Sequence, residues 1–145
     1  MKPELIKGGI AFDDRGYVSF ANDFSFDSVK RFYLVDNYSA NFVRAWHAHK
    51  NESKMVTVIK GSAIIAAVEI DDWDQPNKDA EVHRWVLSAG SPGVISIPAG
   101  YANGFMSLEP HTTLAYFSTS TLEQSVGDDF RYPFDYWNPW EIEPR

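Results

Sequence analysis

Hydrophobic and polar residues alternate along most of this 145-residue chain in short runs, which are separated by clusters of Gly, Pro, Asp and Ser. Alternation with a period of two is typical of half-buried strands, and closely spaced turn signals favour antiparallel pairing. The predicted strands are Tyr17 to Phe20, Lys30 to Val35, Val43 to His49, Met55 to Ile59, Ser62 to Ile70, Val82 to Leu87, Gly93 to Ile97 and Thr112 to Ser118. Short helices are expected only near residues 24–29 and 121–126. The pattern predicts one all-β domain over residues 1–145, with the architecture of a jelly-roll barrel.

Composition narrows the class of protein without changing that picture. Hydrophobic residues make up 44% of the chain and aromatic residues 15%, which is ample for one core rich in large side chains. Cysteine is absent, so disulfides and thiolate metal sites are excluded. The sequence has neither a secretory signal pattern nor a long uncharged apolar run. We therefore expect a cytoplasmic protein that does not interact with membranes.

The charge balance bears on the kind of ligand. Acidic residues outnumber basic residues by 20 to 13, which gives a net charge of −7 and argues against a broad face for nucleic acid. An anionic ligand would instead need a local basic patch. Arg15, Arg44 and Lys54 are the candidates for that patch, whereas Lys30 and Arg31 are predicted to be ordinary solvated charges.

The segment from Trp46 to Lys54 carries the most informative chemistry. It contains the pair His47 and His49, then Lys54, and Gly61 follows seven residues later. This spacing resembles the first metal-binding motif of the cupin barrels, in which a glutamate stands in place of Lys54. The second cupin motif, Pro-x-Gly-x-x-His, begins here at Pro98 and ends with an asparagine, residue 103, in place of its histidine.

These two replacements bear on metal binding. A divalent metal needs three or four ligands drawn from imidazole and carboxylate, and this chain lacks two of them. We therefore expect a cupin-type double-stranded β-helix whose mouth binds no metal and uses no cofactor. Two histidines, Lys54 and Arg44 remain, and such a set suits proton transfer on an anionic substrate.

The period of the strand predicts which side chains share a face. Val43, Ala45, His47 and His49 should lie on one side of their strand and Arg44 on the other. On an inward face the two histidines would line the barrel mouth, although burial of either one in the core is the alternative. If Arg44 belongs to the same site, a bulge or a strand end must turn it.

A series of motifs occurs in an order that points to one family. The motifs are Asp14 to Tyr17, Asp36 to Ser39, Val43 to His47 and Ile97 to Phe105, and Tyr116 stands thirteen residues after Asn103. Together they resemble the dTDP-4-dehydrorhamnose 3,5-epimerase family, metal-free cupins that epimerise nucleotide-linked 4-keto-6-deoxy sugars. The resemblance covers about Asp14 to Trp140.

The resemblance implies a role for each matching residue. His47 would be the catalytic base, with a pKa near 7, Tyr116 the catalytic acid, and Lys54 a catalytic cation that stabilises an enolate. Packing of Tyr116 in the core is the alternative. The implied substrate-binding residues are Arg15, Asn37, Arg44, His49, Asn103 and Phe105.

Two departures from the family stand out near the end of the chain. The family orients its base with an aspartate from a C-terminal extension, and no such segment is recognisable here. The chain has instead an aromatic tail, residues 132–140, whose segment from Trp137 to Trp140 is expected to form a lid over the barrel or a dimer contact.

A second resemblance leaves the reaction open. Val29 to Tyr33 followed by Arg44 to Lys50 also looks like the 3,4-ketoisomerases acting on dTDP-4-keto-6-deoxyglucose, in which both histidines work. A non-catalytic cupin that binds a sugar nucleotide is the third possibility. The epimerase resemblance implies a dTDP-linked substrate and a role in the synthesis of sugars for cell-surface polysaccharides such as lipopolysaccharide O-antigen. It also implies a homodimer paired through N-terminal strands, with Arg15 reaching the nucleotide of its neighbour.

Overall fold

Two five-stranded antiparallel sheets pack face to face in the computed structural model, which describes residues 1–145. The strands are β1 (Glu4–Lys7), β2 (Gly9–Asp13), β3 (Gly16–Phe20), β4 (Arg31–Asn37), β5 (Val43–Ala48), β6 (Lys54–Lys60), β7 (Ser62–Glu69), β8 (Val82–Ser88), β9 (Gly93–Ile97), β10 (Tyr101–Ser107), β11 (Thr112–Ser118) and β12 (Phe130–Arg131). Sheet 1 has the order β1-β9-β6-β11-β4, and sheet 2 has the order β12-β5-β10-β7-β8. The strands β2 and β3 form a separate hairpin. The prediction of an all-β fold is confirmed.

All eight predicted strands are present, and four more, β1, β2, β10 and β12, were not predicted. A short helix, α1 (Leu122–Val126), forms where one was expected, and the side chains of Thr121 and Gln124 cap its first turn. Residues 24–29 contain only a turn at residues 27–28, so the prediction of a helix there was wrong. The five-residue α1 is the only helix, and no helix has the length and apolarity needed to cross a bilayer.

The main core lies between the two sheets. Its largest fully buried members include Val56, Ile65, Ile95, Phe105 and Leu114, each of which exposes 1% of its surface or less. Burial of each such side chain is worth about 1.5–3 kcal/mol relative to exposure. This core fixes the distance between the sheets, and it therefore fixes the width of the space at the open end of the barrel.

A second cluster covers the outer face of sheet 2. Trp46 packs there against Trp137 and Trp140, with ring centroids 5.3 and 5.2 Å away. Its indole nitrogen donates hydrogen bonds to the carbonyl oxygens of Phe134 and Trp137 at 3.1 and 3.2 Å. The expectation of a lid was therefore wrong, because the aromatic tail packs on its own sheet and buries the back of β5, and the alternative of a dimer contact stays a prediction.

The pairing of β5 with β10 contains a bulge. Asn103 pairs with His47 but Phe105 pairs with Arg44, so three steps on β5 face two on β10. A Cβ atom on Gly104 would lie 2.4 Å from the Cβ of Ala45, which explains the glycine at this close approach. Arg44 is turned to the inner face, as a bulge was predicted to do, whereas Val43 and Ala45 pack with the outer cluster. Their predicted place on the histidine face was therefore wrong.

Much of the outer face of sheet 1 remains uncovered, although Phe24 and Phe26 pack on Phe117 of β11. Phe32, Leu34 and Ile59 expose 66%, 56% and 51% of their surfaces there. Phe12 and Val18 of the β2–β3 hairpin are also exposed. Contiguous apolar surface of this kind marks an interaction site more often than a solvated face.

Candidate active site

A cavity of about 300 Å³ opens between the inner faces of the two sheets. Its volume is at the lower end of the range for small-molecule sites. Seven of the nine predicted site residues line it, and Arg15 and Asn37 do not. The lining residues are Arg31, Tyr33, Val35, Arg44, His47, His49, Lys54, Asn103, Phe105, Tyr116, Ser125, Val126, Asp129 and Arg131.

The register of the strands explains why these side chains meet. Arg31, Tyr33 and Val35 alternate along β4 and share its inner face. Tyr33 pairs with Tyr116 of β11, and the two rings stack with centroids 5.2 Å apart and planes 7° apart. From the opposite sheet, β5 contributes His47, which pairs with Asn103 of β10. The cavity wall is therefore held by backbone pairing on both sides.

The cavity is positive although the chain as a whole is negative. Four cations line it, Arg31, Arg44, Lys54 and Arg131, against one carboxylate. Lys54 is only 8% exposed and takes part in none of the ion pairs of the structure. A buried ammonium group without an anion is costly, so this site is prepared for negative charge on a ligand.

The ammonium of Lys54 lies above two aromatic rings. Its Nζ is 5.7 Å from the ring centroid of Tyr33 and 5.9 Å from that of Tyr116. Both distances are within the range of a cation–π contact. The rings hold the charge in place without neutralising it, which keeps it available to a developing oxyanion.

His47 is a neutral imidazole at physiological pH. Burial lowers its pKa from 6.5 to about 4, and the charges of Lys54 and Arg131 act in the same direction, while Asp129 opposes them. The predicted pKa near 7 was therefore too high for the free protein. Asn103 donates a hydrogen bond from Nδ2 to the carbonyl oxygen of His47 at 3.2 Å, which fixes the main chain that carries the ring.

Tyr116 belongs both to the core and to the cavity wall. Core packing and a place in the site, which the sequence offered as alternatives, therefore apply together. It is 5% exposed and packs with the core between the sheets. Burial raises the pKa of its phenol, proximity to Tyr33 raises it further, and Arg44 acts in the opposite direction. The hydroxyl is therefore protonated at neutral pH and can donate.

Asn37 is not brought into the cavity. It is 2% exposed, and its Oδ1 accepts a hydrogen bond from Nε of Arg44 at 2.7 Å. Its Nδ2 donates to the carbonyl oxygen of Phe42 and to Oγ of Ser107, at 3.1 and 3.2 Å. Asn37 therefore acts on the cavity by holding the guanidinium of Arg44, and its predicted contact with a substrate has no support in this geometry.

Arg15 lies away from the cavity, at the turn between β2 and β3. Its side chain is 86% exposed and pairs with Asp13 at 2.5 Å. The structure therefore does not bring Arg15 to the site of its own chain.

Several lining residues were missed by sequence reasoning. Arg31 was predicted to be solvated, but its side chain is only 22% exposed and belongs to the cavity wall. The alternation of β4 could have identified both Arg31 and Tyr33. Asp129 and Arg131 gave no such signal, because they belong to the short segment at β12, which pairs with β5 beside His47. Asp129 is a C-terminal carboxylate near His47 that the sequence did not reveal.

The composition of the cavity also limits metal binding by these side chains. No group of three or more His, Cys, Asp or Glu residues is arranged to hold a metal ion. The predicted absence of a metal stays a prediction.

Solved structures share this fold. The first is a dTDP-4-dehydrorhamnose 3,5-epimerase from Bacillus anthracis with TDP and pyrophosphate bound (TM-score 0.80, 20% identity, covering 98% of this chain and 86% of that one). ChmJ, a 3′-monoepimerase from Streptomyces bikiniensis in complex with dTDP-quinovose, is also similar (TM-score 0.75, 18% identity, 99% and 78% coverage). So is QdtA, a sugar 3,4-ketoisomerase from Thermoanaerobacterium thermosaccharolyticum in complex with TDP (TM-score 0.68, 21% identity, 93% and 91% coverage).

The likeness to these structures confirms the cupin-type jelly roll, and the family follows from the sequence match. None of the curated proteins matches this chain significantly in sequence. The family profile described as dTDP-4-dehydrorhamnose 3,5-epimerase matches residues 5–132, which is most of the chain. The protein therefore belongs to the dTDP-4-dehydrorhamnose 3,5-epimerase family, isomerases that act on dTDP-linked keto sugars.

Proposed function

We propose that this protein epimerises a dTDP-linked 4-keto-6-deoxy-hexose by removing a proton from a carbon next to the keto group. The observation that carries the proposal is the meeting of three groups in one cavity: neutral His47, unpaired cationic Lys54 and protonated Tyr116. Proton abstraction next to a ketone needs a base, a positive charge for the enolate oxygen and an acid to return the proton.

His47 is the base in this mechanism. Its neutral ring accepts the proton, and the electron pair of the broken C–H bond moves to the keto oxygen. Lys54 stabilises the resulting enolate. In the free protein, the charge of Lys54 adds to the effect of burial in lowering the pKa of His47. The negative charges of the bound diphosphate and of the enolate balance this lysine, so His47 becomes a stronger base in the complex.

Tyr116 is the acid, and Arg44 binds the diphosphate. The buried phenol of Tyr116 keeps its proton until it is delivered to the enolate carbon, and delivery to the opposite face inverts the centre. The guanidinium of Arg44, held by Asn37, is suited to two-point contact with phosphate oxygens. Asn103 and Phe105 complete the wall against the sugar.

A 3,4-ketoisomerase is the second candidate, and one observation favours it. His47 and His49 both line the cavity, and the ketoisomerase resemblance of this segment involves two working histidines. Such an enzyme would move the keto group instead of inverting a centre. A non-catalytic protein that binds a sugar nucleotide is the third candidate.

We also propose that the protein is a homodimer and acts in the cytoplasm. The uncovered face of sheet 1 and the exposed β2–β3 hairpin support a dimer, since pairing of two copies would remove this apolar surface from water. Arg15, which extends from the hairpin, would then reach the nucleotide of the partner. Synthesis of sugars for cell-surface polysaccharides is the proposed role.

The substrate class and the reaction are tested by solvent exchange. In D₂O, the protein should incorporate deuterium at C3, C5 or both of dTDP-4-keto-6-deoxyglucose, as followed by NMR. His47→Asn should reduce exchange by at least about 10²-fold, because it removes the general base. His111→Asn, at an exposed histidine outside the cavity, is the matched control and should exchange normally.

The same spectra separate the candidate functions. A product with the keto group at C3 would identify a ketoisomerase. Binding of dTDP without exchange of any dTDP-linked keto sugar would identify a protein without catalysis. Exchange retained within about tenfold in His47→Asn would remove His47 as the base.

The role of Tyr116 is tested by replacing it with phenylalanine, which removes only the hydroxyl and keeps the stack on Tyr33. Exchange at the abstracted carbon should continue, while net inversion should fall by about 10²-fold or more. Polarimetry and NMR of the same reaction give the two rates. If both rates remain like those of the unmodified protein, Tyr116 is a core residue only.

The dimer is tested by light scattering at micromolar concentration, where the mass should be twice the 16.4 kDa of the chain. Replacing Phe32 by Glu on the uncovered face should yield monomers, because a charge would be buried against an apolar surface. Val86→Glu, at an exposed apolar position of sheet 2, is the control and should stay dimeric. A monomeric unmodified protein would contradict the proposal.

A further inference from the structure

The inner face of β4 carries an aromatic, an apolar and an amide side chain in a fixed order. Tyr33, Val35 and Asn37 are two residues apart, so they follow one another on that face at intervals of about 6–7 Å. Tyr33 lies beneath the ammonium group of Lys54, whose Nζ is 5.7 Å from the ring centroid. Asn37 accepts a hydrogen bond from Nε of Arg44 at 2.7 Å. Along the strand, Val35 therefore lies between the positions of the two cations.

A second apolar side chain lines this part of the cavity from the other sheet. Phe105 of β10 pairs with Arg44 of β5, so it stands at the same end of the cavity as the guanidinium. Val35 and Phe105 both line the cavity and pack with the core between the sheets. Together they form an apolar patch on the wall between the lysine and the guanidinium, the Val35–Phe105 patch.

The proposed substrate presents its groups in a matching order. One edge of its pyranose ring runs from the keto carbon C4 to C5, which carries the methyl group C6, and then through the ring oxygen to C1, which carries the diphosphate. In the proposed mechanism, Lys54 stabilises the oxygen on C4 and Arg44 binds the diphosphate. The methyl group on C5 lies between these two anchored groups, as Val35 lies between the two cations. The other edge, through C3 and C2, carries polar oxygen groups, and an apolar patch offers them no hydrogen-bond partner.

We propose that Val35 and Phe105 bind the C6 methyl group and that Val35 selects 6-deoxy sugars over sugars with a hydroxyl at C6. A methyl group gains free energy from burial against this patch, whereas a hydroxymethyl group would lose hydrogen bonds to water without replacement. Arg44 is the polar lining residue beside the patch, and the bound diphosphate occupies it. The inference rests on the proposed function, which supplies the two anchored groups.

Binding of unreactive nucleotide sugars tests this subsite. On C5, dTDP-6-deoxyglucose carries a methyl group, dTDP-glucose a hydroxymethyl group and dTDP-xylose only hydrogen, while all three keep the diphosphate and an oxygen on C4. In isothermal titration calorimetry, dTDP-6-deoxyglucose should bind at least about threefold more tightly than dTDP-xylose, which is the scale of one buried methyl group. It should bind about tenfold more tightly than dTDP-glucose, because the extra hydroxyl is left unpaired.

Variants of Val35 show whether this side chain causes the preference. Val35→Thr nearly keeps the shape of the side chain and adds a hydrogen-bonding hydroxyl, so the preference for dTDP-6-deoxyglucose over dTDP-glucose should fall to about twofold or less. Val86→Thr makes the same change at an exposed position outside the cavity, and this matched control should keep the preference. If Val35→Thr does not fold, Val35→Ala takes its place, since it removes the contact with the methyl group and leaves room for the hydroxyl.

The ratio of two affinities separates selection from a general effect on stability, which would weaken both ligands alike. Equal affinities for dTDP-6-deoxyglucose and dTDP-glucose, a preference that the Val35 variants leave unchanged, or no binding of any of the three sugars would overturn the inference. Solvent exchange with dTDP-4-keto-6-deoxyglucose would in each case leave the proposed function intact. Absence of both exchange and selective binding would overturn both. A preference for the 6-deoxy sugar that depends on Val35 is the result expected.

Discussion

The pairing of β5 with β10 is the constraint on which the site depends. Its bulge at Gly104 places Arg44, His47 and His49 on the inner face, while Trp46 and Ala48 point to the outer face. Both faces of β5 are therefore committed, one to the cavity and one to the aromatic tail. A slip of one residue would exchange the histidines for Trp46 and Ala48, so the hydrophobic burial of Trp46 also fixes the position of the face that lines the cavity.

The charge distribution follows from that arrangement. The chain carries a net charge of −7, yet the cavity gathers four cations and one carboxylate. A positive site with low-dielectric walls in a negative protein focuses anionic ligands on one place and discourages binding elsewhere. Lys54 contributes strongly to the positive potential of the cavity, because its ammonium group is shielded from solvent and pairs with no carboxylate. Burial is the main cause of the low pKa of His47, and the charge of Lys54 lowers it further, so this lysine bears both on the anion affinity of the cavity and on the neutral state of His47.

Much of the fold and part of the site could be predicted from the sequence. Period-two alternation identified eight strands, and motif spacing identified seven residues of the cavity wall. The strand β10 was not predicted, since Asn103 and Gly104 have low strand propensity, although both are buried in a central strand. Asp129 was missed because its position depends on the pairing of a two-residue strand, which leaves no periodic signal. The position of Asn37 outside the cavity could not be predicted, because a motif gives a residue's neighbourhood and not the direction of its side chain.

The central claim is that burial, together with the charge of Lys54, holds His47 neutral in a cavity prepared for an anion. The most direct measurement is the NMR titration of the His47 ring, assigned by comparison with His47→Asn, in the free protein, in Lys54→Met and with dTDP bound. The account predicts a pKa of about 4 in the free protein, and a clear rise toward 6.5 both when Lys54 loses its charge and when dTDP binds. A free-protein pKa near 6.5 that responds to neither change would contradict it.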